Sequence, residues 1–435
     1  MSTRTRRSTA EVAVNPSNRA HVKRVLLAGI STRAMAESAV RAGYQVLSLD
    51  AYADRDNPAS PALSLHRDFG VEYSPRALAN AVAQSDSGCD AVCYGSSMEN
   101  HPDAVALLAS RAPLWGNPPH VLRRARNAVA LSRLLRKRLG IGALARASAA
   151  DSSRDWLMKP RASGGGHGIS EWRSGAVLPR THVLQERIRG TPGSIAFVAH
   201  GGRAHPFAIS RQLVGEAHFG ASGFQYCGSI MSALPRSVID IATDTAQILA
   251  EGFALIGVAS LDFVQTADGV PHAIELNPRY SASMELAERA FGYPVFAAHA
   301  LACTAALSGA AAPVLPSLDL ALALRSSGAI GKAILFAPSD LKMPDTEPWL
   351  ADPDVRDIPH TGETIPRGHP VCTIFATAGD DPSCHMMLVR KAAAMYDAMQ
   401  MAARGKRKGR KQETGNRKQK LHETTVAPSK ARAHV

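Results

Sequence analysis

The 435-residue sequence has little cysteine and none of the motifs that cysteine usually forms. Its six cysteines include no CxxC pair and no zinc-like spacing, and they are too few for a disulfide-rich domain. This pattern excludes a disulfide scaffold and a zinc ribbon. It favours a reducing compartment, so the expected location is the cytoplasm.

The sequence also lacks segments that would direct it to a membrane. Its first residues, MSTRTRRSTAEVAVNP, are basic but contain no apolar run, so they do not form a secretory signal. The charge-free stretch 290–318 is interrupted by glycine and proline, which predicts a buried helix followed by a loop. We therefore expect no membrane segment.

Excess positive charge is absent from the central part of the chain. The net charge is +13, but residues 404–435 contribute +9 and residues 1–24 contribute +5, which leaves −1 for the rest. We expect residues 1–22 and 403–435 to be disordered tails, because such segments cannot bury apolar surface. The second tail can attract nucleic acid electrostatically, but a solubilising role is the favoured interpretation. The sequence does not indicate an oligomeric state.

The length predicts two to four domains, and the first has an α/β pattern. The stretch KRVLLAGISTRAMAESAVRAGYQVLSLDAY predicts a strand at 23–28, a helix at 32–42 and a strand at 45–49. A third buried strand ends in the loop that contains Ser96 and Ser97, at the strand end where α/β sheets bind ligands. The turn after the first strand lacks GxGxxG, so a dinucleotide site is the weaker interpretation.

The middle and end of the chain alternate between helical and strand patterns. A long basic helix is predicted over 119–141, and a second helix over 237–255. Strand pairs are predicted around the turns at Gly201-Gly202 and at 267–269. After residue 325 the pattern is mostly β, and a helix over 386–402 closes it.

The hairpin around residues 267–269 carries a set of candidate metal ligands. Glu275 and Asn277 are two residues apart on one strand, so they share a face, and the tight turn brings Asp262 close to them. Two carboxylates and an amide oxygen suit Mg²⁺ or Mn²⁺ together with substrate phosphates. Arg279 would add a cation suited to a transferring phosphoryl group. A solvated strand face is an equally strong interpretation of this hairpin alone.

A glycine loop, KPRASGGGHGI at 159–169, is the second candidate site. Glycine is costly inside regular structure, so three in a row indicate a turn or a close backbone approach. Backbone N–H groups in such a loop can reach phosphate oxygens. The loop is not a P-loop, because Lys159 precedes the glycines and no GK[ST] follows.

These motifs resemble, in order and spacing, those of the ATP-grasp superfamily. The similarity covers about residues 23–400 and rests on LMKPRASGGGHGI, VLQERIRGTPGSIAFV and SLDF…IELNPR. It implies a combined α/β and α+β fold in which ATP lies between two subdomains under a glycine-rich lid. The implied domains are a Rossmann-like domain at 23–115, an ATP-grasp domain at 116–324 with a lid at about 119–186, and a β-rich segment at 325–402.

The resemblance also implies roles for individual residues. Asp262, Glu275 and Asn277 would hold Mg²⁺ or Mn²⁺, and Arg279 with Lys159 would contact phosphate or acylphosphate. The residues implied for ATP are Lys159, Gly164, Gly165, Gly166, His167, Gln185, Glu186 and Ile188. For His167 an exposed loop position is the alternative.

One motif departs from the family pattern. Many ATP-grasp enzymes carry an Asp-Lys pair before the lid, where this chain has Arg126-Asn127. Arg123, Arg124 or Arg126 can replace the lysine, and the sequence does not choose among them.

The resemblance implies an ADP-forming ligase, in which a carboxylate is phosphorylated to an acylphosphate and an amine then attacks it. The segments LLAGISTRAMAESAVRAGYQVLSLDAYADRD and RGHPVCTIFATAGD resemble the branch of tyramine–glutamate ligases of methanofuran biosynthesis, a pathway of one-carbon cofactor synthesis. This implies glutamate and an aromatic amine such as tyramine or tyrosine as small-molecule partners. Candidate substrate residues are Arg211 and Gln212, and more weakly Ser96 and Ser97.

Two other classes of function remain as alternatives. The β-rich end permits a biotin-carboxylase-like enzyme that uses bicarbonate. A non-catalytic nucleotide- or RNA-binding protein is the third interpretation, with RNA contact through the basic tail. The complete set of Asp262, Glu275, Asn277 and Arg279 argues against it, because a sensor does not need a cation for phosphoryl transfer. The ligase is therefore the prediction.

Overall fold

The computed structural model describes residues 23–84, 88–146, 154–311, 313–316 and 318–401. Both basic tails predicted from the sequence lie outside these ranges. Four β-sheets organise the described chain.

The first sheet is parallel and has the strand order β3-β2-β1-β4-β5. Its strands are β1 (Arg24–Ala28), β2 (Gln45–Asp50), β3 (Ala62–Ser64), β4 (Ala91–Tyr94) and β5 (Leu114–Trp115). Its helices are α1 (Arg33–Arg41), α2 (Leu65–Phe69), α3 (Pro75–Gln84) and α4 (Pro102–Ala109), with a 3₁₀ turn at Met98–Asn100. The strands are mostly buried and largely apolar, as expected for a parallel sheet covered on both faces; Ser48 and Asp50 are the buried polar residues of β2. The predicted βαβ start is confirmed.

Two short helices lead from this sheet to a small antiparallel sheet. The helices are α5 (Pro119–Ala125) and α6 (Ala128–Leu139). The sheet has the order β6-β9-β7-β8 and is formed by β6 (Ala145–Arg146), β7 (Trp156–Pro160), β8 (Ser170–Trp172) and β9 (His182–Glu186). It carries the glycine loop between β7 and β8.

The prediction of one continuous helix over 119–141 is wrong. Asn127 has an extended backbone, and its side-chain oxygen accepts hydrogen bonds from the N–H groups of Val129 and Ala130. An asparagine in this conformation caps a new helix. The chain therefore turns at Arg126 and Asn127, and α6 begins at Ala128.

The largest sheet has eight strands in the order β14-β13-β10-β11-β12-β15-β19-β17, and its neighbouring strands are antiparallel. The strands are β10 (Thr191–His200), β11 (Arg203–Val214), β12 (Tyr226–Met231), β13 (Gly257–Gln265), β14 (Pro271–Asn277), β15 (Ala329–Phe336), β17 (Val355–Arg356) and β19 (Pro370–Ala378). A two-stranded sheet pairs β16 (Leu341–Lys342) with β18 (Thr364–Ile365). Both predicted hairpins are confirmed. The domain boundary at 324 stays a prediction, and one continuous sheet runs across it.

The remaining helices pack mainly against the large sheet. They are α7 (Arg236–Phe253), α8 (Met284–Phe291), α9 (Val295–Ser308), α10 (Leu320–Ser327) and α11 (381–401), with 3₁₀ turns at Ala217–Phe219 and Glu347–Ala351. The closing helix begins earlier than predicted because the Asp380 carboxylate accepts the Ser383 N–H and caps it. Among the described helices none is long and apolar enough to cross a membrane singly, and α8 with α9 qualify only as a pair bent by 117°.

A buried ion network joins the parallel sheet to the large sheet. Arg33 of α1 is 1% exposed, and its guanidinium lies 2.5 Å from Glu285 of α8 and 2.9 Å from Asp357. Lys332 of β15 contacts the other Glu285 oxygen at 2.7 Å. Removing one member of a buried pair leaves an uncompensated charge, so these contacts strongly favour one arrangement of the two sheets. The space between those sheets is the candidate site.

Candidate active site

A cavity of about 1070 Å³ lies between the parallel sheet, the small lid sheet and the large sheet. Nearly every residue singled out in the sequence lines it. The loop after the first sheet contributes Ser96 and Ser97. The small sheet, its glycine loop and the segment after β9 contribute Lys159, Gly164, Gly165, Gly166, His167, Gln185, Glu186 and Ile188. The large sheet and the turn after it contribute Gln212, Asp262, Glu275, Asn277 and Arg279. Arg211 is the exception.

The two candidate carboxylates face each other across neighbouring strands. Asp262 of β13 pairs with Glu275 of β14, beside a bulge between Asp262 and Phe263. The Asn277 amide nitrogen donates to the Asp262 carboxylate at 2.9 Å. The turn at 267–269 thus brings together the three side chains that the sequence singled out.

The two carboxylates have opposite electrostatic environments. Burial, reinforced by the charge of Glu275, raises the pKa of Asp262 to about 6. Burial would also raise the pKa of Glu275, but the charges of Arg126 and Lys159 lower it to about 2. Lys159 Nζ lies 3.3 Å and Arg126 Nη2 lies 2.9 Å from its oxygens. Glu275 is therefore ionised, and Asp262 ionises more readily when a further cation is near.

This donor set fits one hard divalent cation with room for outside ligands. Asp262, Glu275 and Asn277 offer carboxylate and amide oxygens, which Mg²⁺ prefers. The described residues contain no group of three or more His, Cys, Asp or Glu side chains that could hold a metal. A cation here would need further oxygens from water or phosphate, as Mg²⁺ usually has in nucleotide sites.

The structure chooses among the three arginines before the lid. Arg126 contacts Glu275, and its guanidinium also donates to the Leu276 carbonyl at 2.7 Å and the Ser163 carbonyl at 3.1 Å. By contrast, Arg123 pairs with exposed Asp103, and Arg124 donates to the Gly252 carbonyl. Arg126 alone of the three reaches the carboxylates, because the chain turns there between α5 and α6.

The glycine loop is held against the loop that precedes β12. The Tyr226 N–H donates to the Gly165 carbonyl at 3.0 Å. Gly166 has φ +80°, and a Cβ there would lie 1.8 Å from the Phe224 carbonyl oxygen. Glycine is required at this position both by the close approach and by the backbone conformation. The loop therefore covers the cavity in a closed arrangement.

Two of the residues implied for ATP, Gln185 and Glu186, lie at the end of β9. Gln185 accepts from Lys159 Nζ at 3.0 Å and donates to the Ile274 carbonyl at 2.8 Å, so it holds the lysine over the site. The Glu186 carboxylate accepts the Leu144 N–H and pairs with Arg154. Both Glu186 carboxylate oxygens therefore already have a donor from the chain.

The predicted pairing of Arg211 with Gln212 at the substrate site needs correction. The Arg211 guanidinium lies 2.6 Å from Asp381 at the start of α11 and does not line the cavity. The Gln212 amide donates to Asp262 at 3.0 Å. Adjacent residues on a strand point to opposite faces, so only one of the two can face the site.

We expect Arg211→Ala to lower the free energy of unfolding by about 1 kcal/mol and to leave kcat and KM unchanged, since its ion pair with Asp381 is partly exposed and lies outside the cavity. Gln212→Ala should instead lower kcat/KM by about 10-fold or more, because it removes a donor that orients Asp262. Urea unfolding and steady-state ADP release on both variants measure the contrast. A large activity loss in Arg211→Ala with normal stability would contradict this placement.

The loop 95–99 is a weaker candidate in the sequence, but its last residue, Glu99, was not singled out there. Glu99 is 1% exposed, and its carboxylate accepts the Arg279 Nε–H at 3.0 Å. It lies in the same loop as Ser96 and Ser97. The sequence marked this loop only because it follows the end of a buried strand, where α/β sheets bind ligands. No local pattern connects it to Arg279, because the two residues are 180 positions apart.

Comparison with known proteins supports the resemblance to the ATP-grasp superfamily. Residues 129–283 match the ATP-grasp domain family. No curated protein sequence matches the chain significantly. Together with the sheet arrangement, this shows that the chain has the ATP-grasp fold, as the sequence predicts.

Solved structures with the same fold resemble most of the chain at low identity. Pyruvate carboxylase from Rhizobium etli has a TM-score of 0.64 at 16% identity over 85% of this chain, which spans only 37% of that chain. Carboxyaminoimidazole ribonucleotide synthase from Aspergillus clavatus, complexed with ATP, has a TM-score of 0.62 at 17% identity, covering 87% of this chain and 99% of that one. L-amino acid ligase from Bacillus licheniformis has a TM-score of 0.59 at 16% identity, covering 86% and 97%. These likenesses show the fold.

Proposed function

We propose that the protein is an ATP-dependent carboxylate–amine ligase that forms an amide through an acylphosphate and releases ADP and phosphate. The observation that carries the proposal is the convergence of Glu275, Asp262, Lys159, Arg126 and Arg279 beneath a closed glycine loop. Phosphoryl transfer depends on positioning and charge neutralisation more than on a protein nucleophile. The cavity supplies both from this chain's own side chains.

Each cation has a place in the first step. Lys159, held by Gln185 and Glu275, is set to contact a nucleotide phosphate below the loop. Arg126 links Glu275 to the start of the loop through the Ser163 carbonyl. Arg279 is fixed by Glu99 and the Tyr280 carbonyl and is suited to a transferring phosphoryl group. Asp262, Glu275 and Asn277 would hold Mg²⁺ or Mn²⁺, which when bound would neutralise charge on the ATP phosphates.

The loop excludes water from this step. The contacts of Gly165 and Gly166 with residues 224–226 close the cavity over the phosphate side. An acylphosphate hydrolyses if water reaches it, so a closed loop protects the intermediate until an amine attacks.

For the substrates, we propose glutamate as the carboxylate and an aromatic amine such as tyramine or tyrosine as the nucleophile, in a cytoplasmic one-carbon cofactor pathway. The cavity exceeds the usual range of about 300–1000 Å³ for one ligand, which leaves room for substrates beside ATP. It is also lined by Phe336, Val371 and Ile334, an apolar surface suited to a ring.

The test is ADP release from Mg·ATP with L-glutamate, alone and with tyramine or tyrosine. Amine-dependent ADP release, together with an amide product detected by mass spectrometry, would support the ligase and these substrates. ADP release only with bicarbonate would instead support a carboxylase on the same fold. ATP binding without turnover for any acceptor tried would contradict an enzyme and favour a binding protein.

We expect Lys159→Ala to lower kcat by about 100-fold or more and to raise the KM for ATP, because it removes a cation aimed at the phosphates. Lys342→Ala is the matched control, since this lysine is exposed on β16 and does not line the cavity. Initial rates over a range of ATP concentrations give both constants. Equal kinetics in the two variants would contradict the role given to Lys159.

A further inference from the structure

Amide formation needs a proton acceptor, and neither the three cations of the site nor the proposed metal ligands supply one. An amine substrate is an ammonium ion near neutral pH and must lose a proton before it can attack. Lys159, Arg126 and Arg279 are cations and cannot accept one. Asp262 and Glu275 are committed to the proposed metal. The acceptor must be another side chain at the cavity, close to the place where the acyl group is held.

Glu99 meets this description. It lines the main cavity and an adjoining cavity of about 240 Å³. One carboxylate oxygen, Oε1, accepts from Arg279 Nε at 3.0 Å. The other, Oε2, is buried and has no hydrogen-bond partner among the described residues. A buried carboxylate oxygen without a donor costs free energy, so a donor from outside the chain is expected there.

Among the described residues, two other carboxylates are as deeply buried as Glu99, namely Glu285 and Asp50, and both are fully engaged. Both Glu285 oxygens are bonded to Arg33, and one also to Lys332. Both Asp50 oxygens accept hydrogen bonds, from Thr32, Tyr52 and Ala53. Glu99 is therefore unlike its buried counterparts in having spare acceptor capacity beside the cavity.

The backbone around Glu99 is held in an unusual conformation. Ser97, two residues earlier, has φ +80°, a value that costs energy for any residue other than glycine. This conformation leads into the 3₁₀ turn Met98–Asn100, which presents Glu99 to Arg279. The strained Ser97 backbone therefore lies next to Glu99, whose carboxylate contacts Arg279, the cation proposed to bind the acylphosphate.

We propose that Glu99 accepts the proton of the attacking amine, an inference that rests on the proposed ligase activity. One ammonium proton passes to the Glu99 carboxylate and then to solvent. The nitrogen lone pair forms the C–N bond at the acyl carbon, and the bond from that carbon to the phosphate oxygen breaks. The second nitrogen proton leaves with phosphate as HPO₄²⁻, so atoms and charge balance.

The test separates amide formation from acylphosphate formation. Glu99→Gln keeps the shape of the side chain but not its basicity. With ATP and L-glutamate, or another carboxylate that supports ADP release by the wild type, two nucleophiles are compared. Tyramine must be deprotonated, whereas hydroxylamine is already neutral near neutral pH and traps the acylphosphate as a hydroxamate. Both rates can fall together through the contact with Arg279, so the expected result is a fall of about 100-fold or more in the ratio of the amide rate to the hydroxamate rate.

The controls separate the possible outcomes. Asp103→Asn, an exposed carboxylate four residues away, should leave both rates unchanged. An equal fall of both rates in Glu99→Gln would show that Glu99 only positions Arg279, and unchanged rates would exclude any role; either overturns the proposal. If Glu99→Gln does not fold, Glu99→Asp serves instead, and an unchanged ratio of amide to hydroxamate overturns the proposal. A wild type that forms no hydroxamate would overturn the ligase itself.

Discussion

Glu275→Gln is expected to lower kcat by about 1000-fold or more. Lys159 Nζ lies 3.3 Å and Arg126 Nη2 lies 2.9 Å from the Glu275 carboxylate oxygens. Asp262 lies opposite Glu275 on the neighbouring strand. An amide of the same shape removes the negative charge that holds both cations and removes one proposed metal ligand. Phosphate positioning and charge neutralisation are then lost together.

The measurement is single-turnover ADP formation over a range of Mg²⁺ concentrations, together with thermal unfolding. The matched control is Glu251→Gln, an exposed glutamate of α7 whose ion pair with Arg138 lies far from the cavity. We expect the Mg²⁺ dependence to shift to higher concentration only in Glu275→Gln. Activity within about tenfold of wild type in that variant would remove Glu275 from the site.

Gly166→Ala is expected to lower kcat/KM by about 100-fold, the scale of loss that follows a displacement of about 1 Å at a reacting centre. An added Cβ would lie 1.8 Å from the Phe224 carbonyl oxygen, and the backbone has φ +80°. The loop must then move away from residues 224–226. Because the loop is exposed at the edge of the lid, the fold should remain intact.

The chain contains its own control for this prediction. Gly379→Ala adds the same methyl group to a glycine that does not line the cavity, where no other atom lies within 4 Å of the added Cβ and φ is not positive. Its kinetics should stay within about threefold of wild type. Limited proteolysis with and without ATP would report loop closure in both variants. Equal activity of the two variants would show that the closed loop contact is not needed for catalysis.

Residue spacing predicted that Asp262, Glu275 and Asn277 lie close together, and the structure shows that they do. Glu275 and Asn277 share a strand face because side chains alternate with a period of two, and the short turn at 267–269 brings Asp262 beside them. The glycine loop was predicted because three consecutive glycines indicate a turn or a close approach of the backbone to another group. The helix at 119–141 was predicted wrongly because its apolar pattern continues through the capping residue Asn127.

The sequence by itself implied the ATP-grasp fold through the resemblance of its motifs to that superfamily. It predicted the residue types at the carboxylate and glycine sites from local periodicity and turns. The tertiary structure alone decided which charges meet there. Contacts between segments distant in the chain bring Arg126, rather than Arg123 or Arg124, to Glu275. Contacts of the same kind bring Glu99 to Arg279. Arg211 turned away from the cavity while Gln212 faced it. Such partners are set by sheet packing and strand orientation, which no local pattern contains.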